Sequence, residues 1–388
     1  MAQTADAIII GAGIHGASLA FHLAERGWKP IVLEKATVAA GATGRSSGMV
    51  RMHYDVEAEA RLAWRSHAYF ADWERRVGGD AGFTNVGFLQ MVPRHEVEPL
   101  HHNVAMQQRI GIATSVIDAE EVRRLLPGVQ IEDDQVAAFE PLSGYADPTA
   151  STTSLMAAAL ARGARLVQGC AVSGVRVEHD RVTGVETSKG SFDAPIVVDA
   201  AGAWAAQVAA SVGLEVPVNV WRHDVAYVQR PPEIPRHIAF IDFQNAFYSR
   251  PEGESLTLVA LEDGNPLQGD PDAPVDAAAS GFIERAAERV VSRLPQFARA
   301  GLHSAHSGQD GITPDQHPII GPAGPEGFWL DCGFSGTGFK TAPAVGESLA
   351  QLIVEGPACN DDLALFRLER FAEGTPIVGE HPYGPIWF

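Results

Sequence analysis

Three glycines near the start of the chain have the spacing of a pyrophosphate-binding turn. Gly11, Gly13 and Gly16 stand in the segment GAGIHG, directly after a short apolar run. The first glycine permits a tight turn, the second lets the backbone approach a pyrophosphate, and the third lets a helix pack on the preceding strand. Ile14 and His15 begin that helix, whose N-terminus carries positive potential. These residues therefore predict a binding site for a dinucleotide.

A carboxylate farther along the chain fits the same ligand. Glu34 directly follows the apolar run 31–33, at the distance from the glycines expected of a ribose-binding acid. There a carboxylate accepts hydrogen bonds from ribose hydroxyls and repels a 2′-phosphate. Apolar residues at helical spacing connect the two features and end at Gly27. The whole segment is thus a strand, a helix and a second strand around one nucleotide.

The composition is that of a globular protein and excludes several partners. The chain has 388 residues, of which 46% are hydrophobic, and a formal net charge of −19. Nucleic acids and anionic membranes require clustered Lys and Arg, so we expect neither as a partner. The N-terminus lacks the features of a signal peptide and no segment is typical of a membrane span, so a cytoplasmic location is predicted. The cysteines are far apart, and we expect no metal site.

Two later glycine-rich segments repeat the order of strand, loop and helix. They are APIVVDAAGAWA at residues 194–205 and GFWLDCGFSGTGFKTAPAVGESLAQLI at residues 327–353. Three separated pieces that converge on one cofactor suit FAD, which is longer than NAD and carries a ring that must be enclosed.

The segments between these pieces are typical of an antiparallel sheet. HDVAYVQRP and LTLVALE alternate as strands do, and TSKGS and PEGES resemble hairpin turns. A helix is predicted from Asp276 to Leu294, ended by Pro295. We therefore expect a mixed α/β fold, with a Rossmann-like cofactor domain and an antiparallel-sheet substrate domain. The predicted boundaries are residues 1–85, 148–216 and 305–388 for the cofactor domain, and 86–147 and 217–304 for the substrate domain.

The order and spacing of the motifs resemble one family. The chain is similar to the D-amino-acid-oxidase-like FAD-dependent oxidoreductases, within them to the group of sarcosine oxidase, dimethylglycine dehydrogenase and glycine oxidase. The resemblance covers essentially the whole chain, through IIIGAGIHGASLAFHLAERG, GATGRSSG, GYADP, VVDAAGAWA, FYSRPEG, TPDQHPIIGP and GFSGTGFKTAPAVGE. It implies an FAD-binding fold and oxidation of a small amino acid.

The resemblance also implies which residues hold FAD. The last loop and its helix would face the flavin edge that gathers negative charge on reduction. Relatives with covalent flavin use a Cys near the position of Gly308 or a His at that of Arg45, so we expect FAD to be non-covalent. The expected cofactor residues are Gly11, Gly13, Ile14, His15, Gly16, Glu34, Lys35, Arg45, Ser46, Ser47, Val172, Gly202, Trp204, Gly336, Thr337, Gly338, Phe339 and Lys340.

Substrate residues follow from the same resemblance. The segment MVRMHYD places Arg51 at a substrate carboxylate with Tyr54 nearby, and Lys340 matches a second cation. Tyr248 lies on a strand expected to form the floor over the flavin, and His53 and His223 are candidate proton acceptors. For Arg51 a surface salt bridge is the alternative, and for Tyr248 and the histidines a hydrogen-bonded place in the core.

The expected reaction is oxidation of a small amino acid, in particular one with a secondary or N-methylated amine. Hydride transfer to flavin N5 would give an imine that hydrolyses. Because the segment LTLVALEDG lacks the lysine that activates dioxygen in sarcosine oxidases, a dehydrogenase is favoured. The electron acceptor, whether a protein, a quinone or dioxygen, is left open. Two alternatives are a 2-hydroxy-acid dehydrogenase and an FAD-binding subunit of a heteromeric complex.

Overall fold

The computed structural model describes residues 3–265, 267–268, 270–275, 277–356 and 362–384. Its strands are β1 (Gln3–Thr4), β2 (Ile8–Ile10), β3 (Ile31–Leu33), β4 (Met49–Val50), β5 (Thr84–Asn85), β6 (Phe88–Met91), β7 (Ser115–Asp118), β8 (Val136–Glu140), β9 (Gly144–Tyr145), β10 (Arg165–Val167), β11 (Val172–Glu178), β12 (Arg181–Thr187), β13 (Gly190–Asp193), β14 (Val197–Asp199), β15 (Asn219–Gln229), β16 (Ala239–Asp242), β17 (Phe247–Glu252), β18 (Leu256–Leu261), β19 (Leu267–Gln268), β20 (Gly301–Ile312), β21 (Ile319–Pro322) and β22 (Phe328–Cys332). Its α-helices are α1 (Ile14–Glu25), α2 (Glu57–Phe70), α3 (Trp73–Arg76), α4 (Val97–Ile110), α5 (Ala119–Leu125), α6 (Pro148–Ala161), α7 (Ala205–Ala210), α8 (Phe282–Arg293) and α9 (Gly338–Glu355).

A six-stranded sheet joins all three glycine-rich segments. Its order is β10-β3-β2-β14-β22-β21, and every neighbouring pair is parallel except β21 with β22. Because both faces of a mostly parallel sheet are covered, its strands are largely apolar, and the charged exceptions are Arg165, Asp199 and Asp331. Ile9 packs among residues of α1, α6 and α9, whereas Ile8 and Ile10 pack with α7 and strands of a second sheet. That second sheet has the order β1-β13-β12-β11.

Helices α1 and α9 pack closely although they lie far apart in sequence. A Cβ at Gly346 would come within 2.3 Å of Ser18 Oγ, so only glycine permits this approach. The Ser18 hydroxyl donates to the carbonyl oxygen of Ala342 at 2.8 Å. Each helix follows a strand of the same sheet, so their N-termini lie at the same sheet edge.

A larger, mainly antiparallel sheet carries the remaining long strands. Its order is β19-β15-β18-β17-β16-β6-β8-β7, and β20 pairs with β15. Val259 and Leu261 of β18 pack on the face that α8 covers. Leu258 and Ala260 point to the opposite face, with Tyr248. A three-stranded sheet of β4, β9 and β5 adjoins this second face.

The predicted hairpins TSKGS and PEGES are present between β12 and β13 and between β17 and β18. The helix predicted from Asp276 to Leu294 is shorter in the structure, where α8 begins at Phe282. It starts after Gly281, whose backbone is left-handed with φ of 76°. Asp276 itself lies outside the described residues. The start of this prediction was therefore wrong, while the end before Pro295 is correct.

The mixed α/β fold with a Rossmann-like sheet and an antiparallel sheet is confirmed. The division into two domains stays a prediction, and strand β20 crosses its boundary at residue 305. In the described part of the chain, no helix combines the length and apolarity needed to cross a membrane. The cytoplasmic location stays a prediction.

Candidate active site

A cavity of about 680 Å³ lies between the glycine segments and the large sheet. Its volume is in the range of cofactor and ligand sites, roughly 300–1,000 Å³. Of the predicted substrate residues, Arg51, Tyr248, His223 and Lys340 line it. The predicted cofactor residues that line it are Gly11, Gly13, Ile14, His15, Glu34, Lys35, Arg45, Ser46, Ser47, Val172, Gly202, Trp204, Gly336, Gly338, Phe339 and Lys340. Four other predicted residues lie outside the lining, namely Gly16, Thr337, His53 and Tyr54.

The first glycine loop brings backbone to the cavity. Gly11 has φ of 105°, and a Cβ there would lie 2.6 Å from the carbonyl oxygen of Ala200. A Cβ at Gly16 would lie 2.1 Å from the carbonyl oxygen of Gly11, so Gly16 serves the packing of helix on loop. Gly13 caps α1, whose first turn contains no acidic residue. The positive end of α1 therefore meets the cavity, as an anion site requires.

Glu34 lies beside this loop as the spacing predicts. Its two carboxylate oxygens accept from the backbone N–H groups of Ala12 at 2.8 Å and Ala36 at 2.7 Å. Each oxygen keeps a further lone pair for a ribose hydroxyl. The same contacts fix the carboxylate against the glycine turn.

One rim of the cavity is built from residues of three distant segments. The Lys35 ammonium lies 3.6 Å from the centre of the Trp204 ring and 2.8 Å from Asp272 Oδ1. Trp204 Nε1 donates to the same Asp272 oxygen at 2.8 Å. Sequence reasoning predicted Lys35 and Trp204 but missed Asp272, because its loop carries no motif.

The last glycine loop touches the first. His15 Nε2 donates to the carbonyl oxygen of Gly338 at 2.9 Å, and its ring stacks on Phe334 with 3.5 Å between centroids. The Thr337 hydroxyl donates to the Phe334 carbonyl at 2.7 Å. Thr337 thus serves its own loop, and the structure does not bring it to the cavity, where it was expected. Gly336, with φ of 78°, and the start of α9 are the parts of this loop that do line it.

The early loop with Arg45, Ser46 and Ser47 meets strand β20. A Cβ at Gly308 would lie 3.0 Å from Arg45 Cβ, so the two positions used for covalent flavin in relatives adjoin each other here. The Arg250 guanidinium donates to the carbonyl oxygen of Ser47 and thereby fixes the loop over the large sheet. Neither Gly308 nor Arg45 offers a sulfur or an imidazole.

Arg51 and Lys340 flank one aromatic ring. The Arg51 guanidinium carbon lies 4.7 Å and the Lys340 ammonium 5.7 Å from the centre of the Tyr54 ring. Arg51 donates to the carbonyl oxygen of His53, and Lys340 to that of Gly336 at 3.3 Å. Within the described part of the chain neither cation forms an ion pair. Burial, and then the charge of Arg51, lower the pKa of Lys340 well below its usual value.

His53 lies away from the cavity. Its Nε2 is 2.7 Å from the hydroxyl of Tyr383, and the ring is almost fully buried. Burial, and secondarily Arg51, lower the pKa of His53 to about 3, so the ring is neutral. Its contact with Tyr383 suits a hydrogen-bonded core histidine, the alternative to proton transfer.

The floor of the cavity is a face of the large sheet. Tyr248 and His223 lie on it with 2.6 Å between the hydroxyl oxygen and Nε2. Burial lowers the pKa of His223 to about 4 and raises that of Tyr248, so both are neutral near pH 7. Glu262, at the end of β18, also lines this floor and was missed by sequence reasoning. The sequence pattern that could have predicted it is the alternation of β18, in which Leu258 and Ala260 share a face and Glu262 follows at the same spacing.

The donor groups fit FAD better than a metal. The glycine turn can bind a pyrophosphate, and Glu34 can accept hydrogen bonds from a ribose. The N-terminus of α9 can stabilise the electron-rich edge of a flavin. Within the described ranges, His, Cys, Asp and Glu form no cluster of three that could hold a metal ion.

Comparison with known proteins identifies the family of the chain. The family described as FAD dependent oxidoreductase matches residues 6–352. The chain is 30% identical to mitochondrial sarcosine dehydrogenase of Mus musculus over 95% of its own residues, and spans 42% of the length of that protein. It is 26% identical to sarcosine oxidase subunit beta of Rhodobacter capsulatus, over 96% of this chain and 90% of that protein. Its fold matches L-proline dehydrogenase from P. horikoshii with a TM-score of 0.88 at 27% identity, covering 96% of this chain and 99% of that one. The chain therefore belongs to the family of FAD-dependent oxidoreductases.

Proposed function

We propose that this chain is a dehydrogenase of a small amino acid that carries a secondary or N-methylated amine. The observation that carries the proposal is the pair of cations Arg51 and Lys340, which line the cavity together and form no direct ion pair among the described residues. A substrate carboxylate between them would pair with both. The likeness to sarcosine dehydrogenase supports an N-methylated substrate.

The protein's own part in the reaction is positioning. Arg51 presents a planar fork that matches a carboxylate, and Lys340 adds a point charge from the start of α9. Because the two cations repel each other in a buried place, a bound carboxylate stabilises both and raises the fraction of Lys340 that is protonated. FAD, when bound, supplies the hydride acceptor.

Tyr248 and His223 form the floor on which the substrate would rest. Their hydrogen bond fixes the phenol ring, and neither group is charged near pH 7. Neutral side chains here suit an amine that must be without its proton when hydride leaves, since an ammonium has no lone pair to assist hydride departure. The role of Tyr248 is therefore orientation of the amine.

A dehydrogenase is proposed rather than an oxidase. Strand β18, Leu256–Leu261, contains no lysine, so the floor lacks the cation that assists dioxygen in sarcosine oxidases. Mixing the reduced protein with air-saturated buffer tests this point. Slow reoxidation by dioxygen, together with fast reoxidation by an artificial quinone, is expected.

The substrate class is tested with the purified protein and FAD under anaerobic conditions. A panel of amino acids, N-methyl amino acids and 2-hydroxy acids is added, and flavin absorbance near roughly 450 nm is followed. Bleaching by N-methylglycine or another N-methylated amino acid is expected. Bleaching by hydroxy acids alone would replace the proposed substrate class, and no bleaching at all would refute the enzyme assignment for the isolated chain.

A second candidate is an FAD-binding subunit of a heteromeric enzyme. It is favoured by the match to nearly the whole length of a sarcosine oxidase subunit beta. In that case the isolated chain binds FAD, but the panel bleaches it only when a partner protein is present. Copurification from cells that produce a tagged chain distinguishes the two candidates.

A further inference from the structure

Glu262 occupies a place on the cavity floor that the register of the sheet determines. Strand β18 pairs Ala260 with Val225 of β15 and ends at Leu261, so Glu262 directly follows the strand. Ala260 also pairs with Tyr248 of β17. Since residues two apart share a face, Glu262 points to the same side as His223 and Tyr248. All three line the cavity.

The carboxylate of Glu262 is buried and incompletely bonded. The residue is only 3% exposed, and among the described residues its Oε2 finds no hydrogen-bond partner. An unpaired buried carboxylate oxygen is costly, so a ligand that donates a hydrogen bond to it would be stabilised. The charged and titratable groups around it are Arg51, Tyr248, His223, Asp242 and Asp263.

The two acids near Glu262 pair with arginines, so among these three acids Glu262 is the one available to bind the amine end of a substrate. Asp242 forms a buried pair with Arg293 at 2.6 and 3.0 Å, and Asp263 pairs with Arg289 at 2.7 Å. Both acids therefore have an arginine partner, although Oδ1 of Asp263 has no hydrogen-bond partner among the described residues. Arg51 faces the carboxylate end, so a bound amino acid would extend from Arg51 toward Glu262.

We propose that Glu262 binds the substrate's ammonium group and accepts the proton that must leave it before oxidation. This inference rests on the proposed function and deepens it. In the step, one N–H bond of the substrate breaks, its electron pair stays on nitrogen, and the proton forms an O–H bond with the Glu262 carboxylate. Charge is conserved, since an ammonium and a carboxylate become an amine and a carboxylic acid.

The surroundings of Glu262 suit this exchange. Burial raises its pKa to about 8 from 4.5, and Arg51 opposes that rise. A base whose pKa lies near the working pH is efficient in proton transfer. His223 is a weaker base because burial lowers its pKa to about 4. Of these two groups on the floor, Glu262 is thus the better acceptor.

The first test is the pH dependence of flavin reduction by N-methylglycine, measured by anaerobic rapid mixing. In the wild type the second-order rate should rise with pH through about pH 8 and level off above it, where Glu262 is ionised. In Glu262→Gln the levelling near pH 8 should disappear, and at pH 7 the rate should fall about 100-fold or more. Glu262→Asp, which keeps the carboxylate, should restore the levelling.

The second test measures binding rather than turnover. Affinities are compared for N-methylglycine and for (methylthio)acetate, which keeps the carboxylate but has sulfur in place of nitrogen. Glu262→Gln should reduce the preference for the amine about 10-fold to 100-fold, because a charge-assisted hydrogen bond is lost. The matched control Glu254→Gln removes an equal charge from the exposed turn between β17 and β18 and should change neither measurement.

The outcomes separate this inference from the proposed function. If N-methylglycine bleaches the wild type but Glu262→Gln keeps the same pH profile and the same preference, the inference is wrong and the proposed function stands. If Glu262→Gln loses rate equally at every pH, the residue acts only through structure, and the inference is again wrong. If no amine bleaches the wild type, the proposed function itself fails, and the inference fails with it.

Discussion

Replacement of Arg51 by Met tests the carboxylate site most directly. The change keeps a long apolar stem beside Tyr54 and Phe88 but removes the guanidinium. Loss of one partner from a buried, hydrogen-bonded charge pair costs about 2–5 kcal/mol. At about 1.4 kcal/mol for each factor of ten, substrate affinity should fall by about 30-fold to about 4,000-fold. The lower end is expected, because Lys340 still offers one positive charge.

The assay is anaerobic flavin reduction at several substrate concentrations, which separates the dissociation constant from the limiting rate. FAD content is measured from the absorbance of the purified variant. It should be unchanged, because the glycine loop, Glu34 and the rim at Trp204 remain. Arg236→Met is the matched control: Arg236 is exposed, donates to the Tyr145 hydroxyl at 2.9 Å and lies outside the cavity lining.

Three results would contradict this reasoning. Loss of FAD from Arg51→Met would show that Arg51 supports the cofactor rather than the substrate. An equal loss of affinity for dimethylamine, which has no carboxylate, would show that Arg51 does not recognise that group. A similar loss in Arg236→Met would point to a general effect of removing an arginine.

Three further predictions concern the cofactor and the buried acid. Gly16→Ala places a Cβ 2.1 Å from a backbone oxygen, and this overpacking costs about 1–3 kcal/mol, so FAD affinity should fall at least about tenfold. The control Gly301→Ala, whose Cβ has nothing within 4 Å, should keep its FAD affinity. Equal FAD binding by the two variants in a fluorescence titration would contradict this prediction. Because the folded state raises the pKa of Glu262 from 4.5 to about 8, the folded chain holds a proton that the unfolded chain releases, so the free energy of unfolding falls as pH rises through this window. Glu262→Gln does not lose this stability, so the melting temperature of the variant minus that of the wild type should increase between about pH 5 and about pH 8. A difference in melting temperature that does not depend on pH would contradict the raised pKa of Glu262. Acid precipitation should leave all flavin in the supernatant, because Arg45 and Gly308 offer no attachment atom, and flavin in the pellet would show a covalent bond elsewhere.

The cofactor side of the site could be predicted from the sequence because its rules are local. A glycine turn between a strand and a helix, and an acid after the next strand, can be recognised from residues that are close together in sequence. Glu34 and the first glycines accordingly lie where they were expected. Thr337 is the exception, since a hydroxyl can satisfy its own loop instead of a ligand.

The substrate side depends on long-range register, which the sequence does not reveal. Glu262 faces the cavity because β18 pairs with β15, and its neighbour His223 is far away in the chain. A shift of one residue would turn Glu262 to the opposite face. Asp272 joins the rim for a similar reason, since its loop is placed by tertiary contacts with Lys35 and Trp204.

The contact between His15 and Gly338 joins two segments that are 323 residues apart in sequence. A chain that is still being synthesised has its first glycine loop early, but it lacks the facing helix until α9 has left the ribosome. The cavity is therefore completed only after α9 has been made. Fragments that end before α9 should accumulate without cofactor, and FAD loading then reports that synthesis has passed α9.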